Sequence, residues 1–311
     1  MFPSITRYHY PRIVFRNGER LLWDPVRRQP LAFRPEERVR LQMLDYLLLH
    51  SGFPASRITA EAPVPNLFAH RRTDLLCYDD EFKPWLLIEC KAENIRIGPK
   101  TATQSAVYNR FVKAPFIMLT NGIYDALFHI SKKRVALELS EYPESLIHDK
   151  AFSSVEPGYW KERGFLPSAM TDSIAAAFSG QLARLFQESM ETRAFLTFHF
   201  PEQQVPFSHY FLILPAPSFP DTLMAFSLIA RNTGEAAFFA AANCNKRNVS
   251  CFKASIGPSG ELRSPELARP DEKKRPSPDT DALKSFFFES QPLASFPGIL
   301  QNLLMPDKPH N

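Results

Sequence analysis

Apolar and polar positions alternate along 12–33, "RIVFRNGERLLWDPVRRQPLAF", with the period of two that belongs to strands. Asn17-Gly18 and Asp24-Pro25 interrupt it, so this stretch predicts short antiparallel strands with turns. Over 34–53 the period lengthens to three and four. Leu41, Leu44 and Leu48 form one stripe of a predicted helix. Pro35 suits its first turn, Glu36 and Glu37 suit its positive end, and Gly52 closes it.

"SRITAEAPVP" (56–65) predicts an edge strand. "RTDLLCYDDEFKPWLLIECKA" (72–92) predicts two strands around a polar turn at 79–83. A helix is expected over 98–114, a strand over 115–122 and a returning strand over 124–130. The first half thus reads β-β-α-β-β-β-α-β-β, a mixed sheet flanked by helices.

Around 140–165 the pattern breaks into Pro, Gly and charged residues, which sets a boundary between domains 1–145 and 146–311. In the second, 171–189 predicts an amphipathic helix with Thr171 as cap. Five strand-like runs follow at 194–200, 209–214, 222–230, 235–242 and 248–255, separated by turn clusters. A C-terminal α+β domain with an antiparallel sheet is expected, and a mobile Pro-rich charged loop at 269–281. The fold class is α+β or mixed α/β.

Composition narrows the function. The 311 residues are 44% hydrophobic and 23% charged, as in globular proteins. There are only 11 glycines and neither GxxxxGK[ST] nor GxGxxG, so no nucleotide is expected. No apolar run reaches the length of a membrane span, about 18 residues, and the N-terminus does not read as a signal peptide. Cys77, Cys90, Cys244 and Cys251 show no zinc spacing and read as reduced thiols of a cytoplasmic protein. The net charge of +4 is uneven. Residues 1–140 hold 21 Lys/Arg against 14 Asp/Glu (+7), and the rest 16 against 19 (−3). A basic first half suits a polyanionic partner.

The candidate chemistry lies at the end of "WLLIECKA". In a strand Trp85, Leu87, Glu89 and Lys91 share one face, and Leu86, Ile88 and Cys90 the other. Pairing across the 79–83 turn brings Asp74 beside Glu89 and Lys91. Two carboxylates with the Cys90 backbone carbonyl make a hard oxygen set suited to Mg²⁺, or Mn²⁺ in its place. Lys91 stands where it can hold an attacking water or compensate developing negative charge. Glu-x-Lys alone is weak. It also occurs at Glu81-Phe82-Lys83 and Glu272-Lys273-Lys274, and at a strand end its plain alternative is a surface salt bridge. Gln104 and Tyr108, four apart on the next helix, present an amide and a phenol on one face. Glu37, a carboxylate on the core stripe of the first helix, is a further candidate ligand. Arg71, Arg72, Lys100 and Arg110 are candidate phosphate contacts. No Ser or Cys nucleophile motif appears.

With these motifs in that order, residues of about 15–130 resemble the N-terminal nuclease domain of type I restriction enzyme R subunits, within the PD-(D/E)xK nuclease superfamily. The residues that carry the likeness are "WDPVRRQPLAFRPEERVR", "RTDLLCYDDEFKPWLLIECKA", "QSAVYN" and "APFIMLTNG". The resemblance implies a restriction-endonuclease-like fold and Mg²⁺-dependent cutting of the DNA backbone, leaving a 5′-phosphate. It implies catalytic roles for Asp74, Glu89, Lys91 and a helix glutamate, Glu36 or Glu37, with Glu37 preferred for its register with Leu41. It places Gln104 and Tyr108 near the active centre and DNA. Thr73 stands where the superfamily name has proline, and no helicase-like motor is recognised here. A nuclease fold that holds nucleic acid or a partner without cutting is the alternative, with the C-terminal domain as a site for a protein partner.

Overall fold

The computed structural model describes all residues except 64–71, 131–136, 140, 145, 148–155, 189–191, 201–205, 270–277 and 306–311. The chain divides into two compact units, Met1–Phe152 and Ser153–Asn311. The fold class is α+β, with a mixed sheet in the first unit and antiparallel sheets besides.

The first unit begins with β1 (Phe2–Pro3), then β2 (Ile13–Arg16), β3 (Glu19–Asp24) and β4 (Gln29–Leu31). The alternating stretch does form antiparallel strands, three rather than two. They make a separate small sheet in the order β2-β3-β4. Next come α1 (Pro35–Asp45), β5 (Ile58–Pro63), β6 (Arg72–Tyr78) and β7 (Pro84–Cys90). α2 (Pro99–Val112), β8 (Phe116–Thr120), β9 (Tyr124–Ile130) and β10 (Leu137–Leu139) complete the unit. The main sheet runs β1-β9-β8-β7-β6-β5, with β10 also on β9. β5 lies at its edge, as the sequence predicts. β7 and β8 are parallel, and α2 is their crossover. The other pairings in the sheet are antiparallel.

α1 starts at Pro35 with Glu36 and Glu37 in its first turn. It buries Leu41 and Leu44 against Leu75, Cys77, Leu86, Ile88 and Cys90 of the sheet. The helix expected to continue to 53 changes after Asp45 to a π-helical turn, Tyr46–His50. On the opposite face of the sheet, Leu76 and Leu87 pack with Tyr108 of α2 and with Ala114. The alternation of the two faces therefore matches the sequence, except at Trp85. A register shift between Cys77 and Tyr78 breaks the period of two. Trp85 consequently packs on the α1 side, stacked on Phe53 at 5.8 Å, and not with Leu87. Gly122 closes the β8–β9 turn at φ 77, where an added Cβ would come within 3.1 Å of Gln42 Oε1.

The second unit contains α3 (Pro157–Glu162) and α4 (Asp172–Ala183), with a π-helical turn at Arg184–Glu188. Six strands follow: β11 (Thr192–Phe198), β12 (Phe207–Ala216), β13 (Phe219–Ala230), β14 (Ala236–Cys244), β15 (Arg247–Ile256) and β16 (Leu262–Ala268). They form one antiparallel sheet in chain order. The sequence predicts five; β16 is the sixth, and Pro265 with the positive φ of 47 at Ser264 interrupts its period. α5 (Asp281–Phe288) and α6 (Phe296–Leu304) end the unit. Phe226 of β13 meets Phe238, Phe287 and Phe296, so aromatic contacts knit sheet and helices. Most of the charged 269–281 loop lies outside the described residues. No described helix is long and apolar enough to cross a membrane.

Candidate active site

The hairpin of β6 and β7 pairs Leu75 with Ile88 and Leu76 with Leu87. One step further, the same register sets Asp74 opposite Glu89. There the Asp74 carboxylate takes over from the main chain: Oδ2 accepts the Cys90 N–H at 2.6 Å. Just past the end of the neighbouring strand, Lys91 Nζ donates to Glu89 Oε1 at 2.7 Å. Glu89 is only 6% exposed, whereas Asp74 and Lys91 are half-buried. Asp74, Glu89 and Lys91 therefore form one group at the sheet end.

The charges of the three act on one another. Burial, then the Glu89 charge, pushes the Asp74 carboxyl up to about 7, against the Cys90 N–H and the Lys91 charge. Burial works against the Lys91 ammonium, but its hydrogen bond to Glu89 and the charges of Glu89, Asp74 and Glu36 outweigh it and raise its pKa. The Cys90 thiol is held well above its usual range by burial. Its side chain is on the core face, so only its main chain adjoins the group.

The helix carboxylate is placed differently from the preferred expectation. Glu37 Oε2 accepts from Arg40 Nη2 at 2.5 Å. Arg40 Nη1 also donates to Asp24 Oδ2 at 2.8 Å. Glu37 is thus held within an ion triad with Arg40 and with Asp24 at the end of β3. The exposed Glu36 is the helix residue whose charge acts on both Asp74 and Lys91.

Tyr108 is buried against Leu76 and Leu87, the same sheet face as Asp74 and Glu89. Gln104 Nε2 donates to the Tyr108 hydroxyl at 2.8 Å. α2 runs back along the sheet, so Gln104, one turn before Tyr108, lies toward the Glu89 end. Lys100, in the first turn of α2, and Arg110 are exposed. Arg72 is exposed and pairs with Glu61 at 3.5 Å. Arg71 lies outside the described residues.

Two carboxylates beside a main-chain carbonyl fit a hard divalent cation, with water completing the shell. The raised Asp74 pKa, set first by burial and then by the Glu89 charge, is compatible with the same reading, since a bound cation would offset both. Among the described residues no group of three or more His, Cys, Asp or Glu is arranged as a ligand set. A cavity of about 330 Å³, lined by Phe53, Arg57, Asp79 and Trp85 among others, lies at the other end of the β6–β7 hairpin.

Sequence reasoning missed Arg38 and Asn121, which hold the segment that follows Lys91. Arg38 pairs with Glu93 at 2.8 Å, and Asn121 Nδ2 donates to the Ile95 carbonyl at 3.0 Å. Neither carries a local signal, since each partner lies more than twenty residues away. No curated protein matches the chain significantly. Residues 35–143, about a third of the chain and all of the segment that builds this group, match the family of the type I restriction enzyme R protein N terminus.

Proposed function

We propose that the first unit is a Mg²⁺-dependent deoxyribonuclease that cuts the DNA backbone. One observation carries the reading: Asp74, Glu89 and Lys91 converge at one sheet end across the β6–β7 pair. The family match supports a restriction-like nuclease context and DNA as the partner.

Asp74, Glu89 and the Cys90 carbonyl would hold the cation. When bound, it supplies Lewis acidity toward a phosphodiester oxygen and a lowered water pKa. Lys91 orients the attacking water and offsets negative charge on the phosphate. Glu36 adds a carboxylate from α1. Gln104, fixed by Tyr108, and Lys100 at the start of α2 contact the DNA, and Arg72 adds a phosphate contact. Asp74, buried enough to hold a proton near neutrality, gives it up as the cation binds.

A second reading rests on the Lys91–Glu89 pair, which already supplies Glu89 with a positive partner. In that case the unit holds DNA or a partner protein without cutting. Supercoiled plasmid with Mg²⁺, Mn²⁺ or EDTA, beside Lys91→Ala, separates the two. Metal-dependent cleavage lost in Lys91→Ala supports the nuclease. Mn²⁺ binding by calorimetry that is lost in Asp74→Ala, without cleavage, means a competent metal site that awaits a partner; DNA binding with neither cleavage nor Mn²⁺ binding supports the second reading. The absence of both cleavage and metal binding sinks the first.

A further inference from the structure

Between β7 and α2 the chain runs from Lys91 to Gly98 without regular structure. This segment carries Lys91 at one end and delivers α2, with Gln104, at the other. It is held from two sides. On the β8–β9 side, the Lys91 N–H donates to the Thr120 carbonyl at 2.8 Å, and Asn121 Nδ2 donates to the Ile95 carbonyl at 3.0 Å. Asn121 Oδ1 in turn accepts the N–H groups of Ile123 and Tyr124 at 3.1 and 2.8 Å, so that anchor is itself rigidly held. On the α1 side, Arg38 Nη2 donates to Glu93 Oε2 at 2.8 Å.

That tie differs from an ordinary surface pair. The Arg38 side chain is 7% exposed and that of Glu93 24%. Exposed pairs contribute little, but removing one member of a desolvated pair leaves the other charge uncompensated. Its place in sequence also matters. Glu93 is two residues beyond Lys91, and Arg38 two residues beyond Glu36. The pair therefore joins the two segments whose charges meet at Asp74.

We infer that Arg38 and Glu93 are positioning residues, whose ion pair fixes the 91–98 segment against α1 and so sets Lys91 and Glu36 around the Asp74–Glu89 group. Asp74 and Glu89 sit on regular strands and keep their geometry without it. The catalytic consequence rests on the nuclease reading; the structural one does not.

The test compares the full chain with Arg38→Met, Glu93→Gln and the exchange Arg38→Glu/Glu93→Arg. Amide hydrogen exchange of peptides spanning 91–98 and 84–90 is followed by mass spectrometry, beside Mn²⁺ calorimetry and plasmid cleavage. Each single variant is expected to exchange about tenfold faster over 91–98, the loss of a charge-assisted hydrogen bond, with 84–90 unchanged. Cleavage kcat is expected to fall up to about a hundredfold with KM retained, as small displacements of reacting groups do, and the exchange variant to recover part of it. Unchanged exchange over 91–98 in the single variants overturns the inference whatever the activity. So does a kcat loss that the charge exchange leaves untouched while restoring protection of 91–98. If the wild type cuts nothing, the nuclease reading fails and the exchange measurement alone decides the tie. If Arg38→Met does not fold, Glu93→Gln, at the more exposed end, decides it.

Discussion

Asp74 Oδ2 accepts the backbone N–H of Cys90 at 2.6 Å, so a side chain ends the β6–β7 ladder. The same carboxylate is half-buried beside Glu89 and is pushed up to about 7 by burial and that neighbour. Its position thus serves two purposes that conflict when no cation is present.

The conflict has a measurable sign. A folded-state pKa above the unfolded value means that the folded chain retains a proton the unfolded chain has lost. Stability from this group is full below the unfolded value near 3.8 and is lost as pH rises toward about 7. Asp74→Asn keeps an acceptor for the Cys90 N–H but cannot ionise. Without metal it is expected to melt about 2–4 °C above wild type at pH 8, the size of a change of about 1 kcal/mol, and level with it near pH 4. Added Mn²⁺ is expected to reverse the order at pH 8. Thermal melts at the two pH values, with and without Mn²⁺, check this.

Arg40 is almost wholly buried between Asp24 and Glu37, with Asp24 fully buried. Arg40→Met leaves Asp24 with only the N–H groups of Val26 and Arg27 among its described hydrogen bonds. A loss of about 3–5 kcal/mol is expected, as for a buried pair broken on one side. Adding Asp24→Asn should return part of it, so the double variant is less unstable than the sum of the singles. Urea unfolding of the four proteins measures the coupling.

Tyr108 has two separable parts. Its ring packs on Leu76 and Leu87, and its hydroxyl accepts from Gln104. Tyr108→Ala is expected to cost about 3–5 kcal/mol through the lost ring. Tyr108→Phe is expected to cost about 0.5–1.5 kcal/mol, one neutral hydrogen bond, while loosening Gln104. Under the nuclease reading, Tyr108→Phe and Gln104→Ala both weaken DNA binding at nearly native stability. Fluorescence anisotropy on labelled duplex, beside thermal melts, separates the effects.

The placement of Asp74, Glu89 and Lys91 is legible because its signals are local. A period of two fixes faces, and a short turn fixes register, so Asp74, Glu89 and Lys91 follow from 72–92 alone. Where a bulge shifts the period, the reading fails, as at Trp85. It is silent where a side chain is claimed by a distant partner. Nothing near Glu37 announces that Arg40 reaches Asp24, sixteen residues away on another sheet, and secures Glu37 on the way. The Arg38–Glu93 tie spans fifty-five residues and is equally silent. β16 was hidden by a proline and a positive φ within the strand.

Glu36 and Glu37, adjacent in sequence, are expected to respond oppositely. Glu37 accepts from buried Arg40, while Glu36 is exposed and its charge acts on Asp74 and Lys91. Glu37→Gln should therefore cost stability, about 1.5–3 kcal/mol for a hydrogen bond to a charged group, with Mn²⁺ affinity unchanged. Glu36→Gln should leave the melting temperature where it is. It removes one of the charges that keeps Asp74 protonated, so the metal-free Asp74 pKa falls. If Glu36 also helps to hold the cation, Mn²⁺ affinity falls with it, because the lost attraction to a divalent ion exceeds the relief of repulsion between carboxylates. Calorimetry at pH 8, where Asp74 is ionised in both proteins, isolates that term. Weaker Mn²⁺ binding in Glu36→Gln assigns the helix carboxylate to Glu36; weaker binding in Glu37→Gln instead would return it to the residue that the Leu41 register favours.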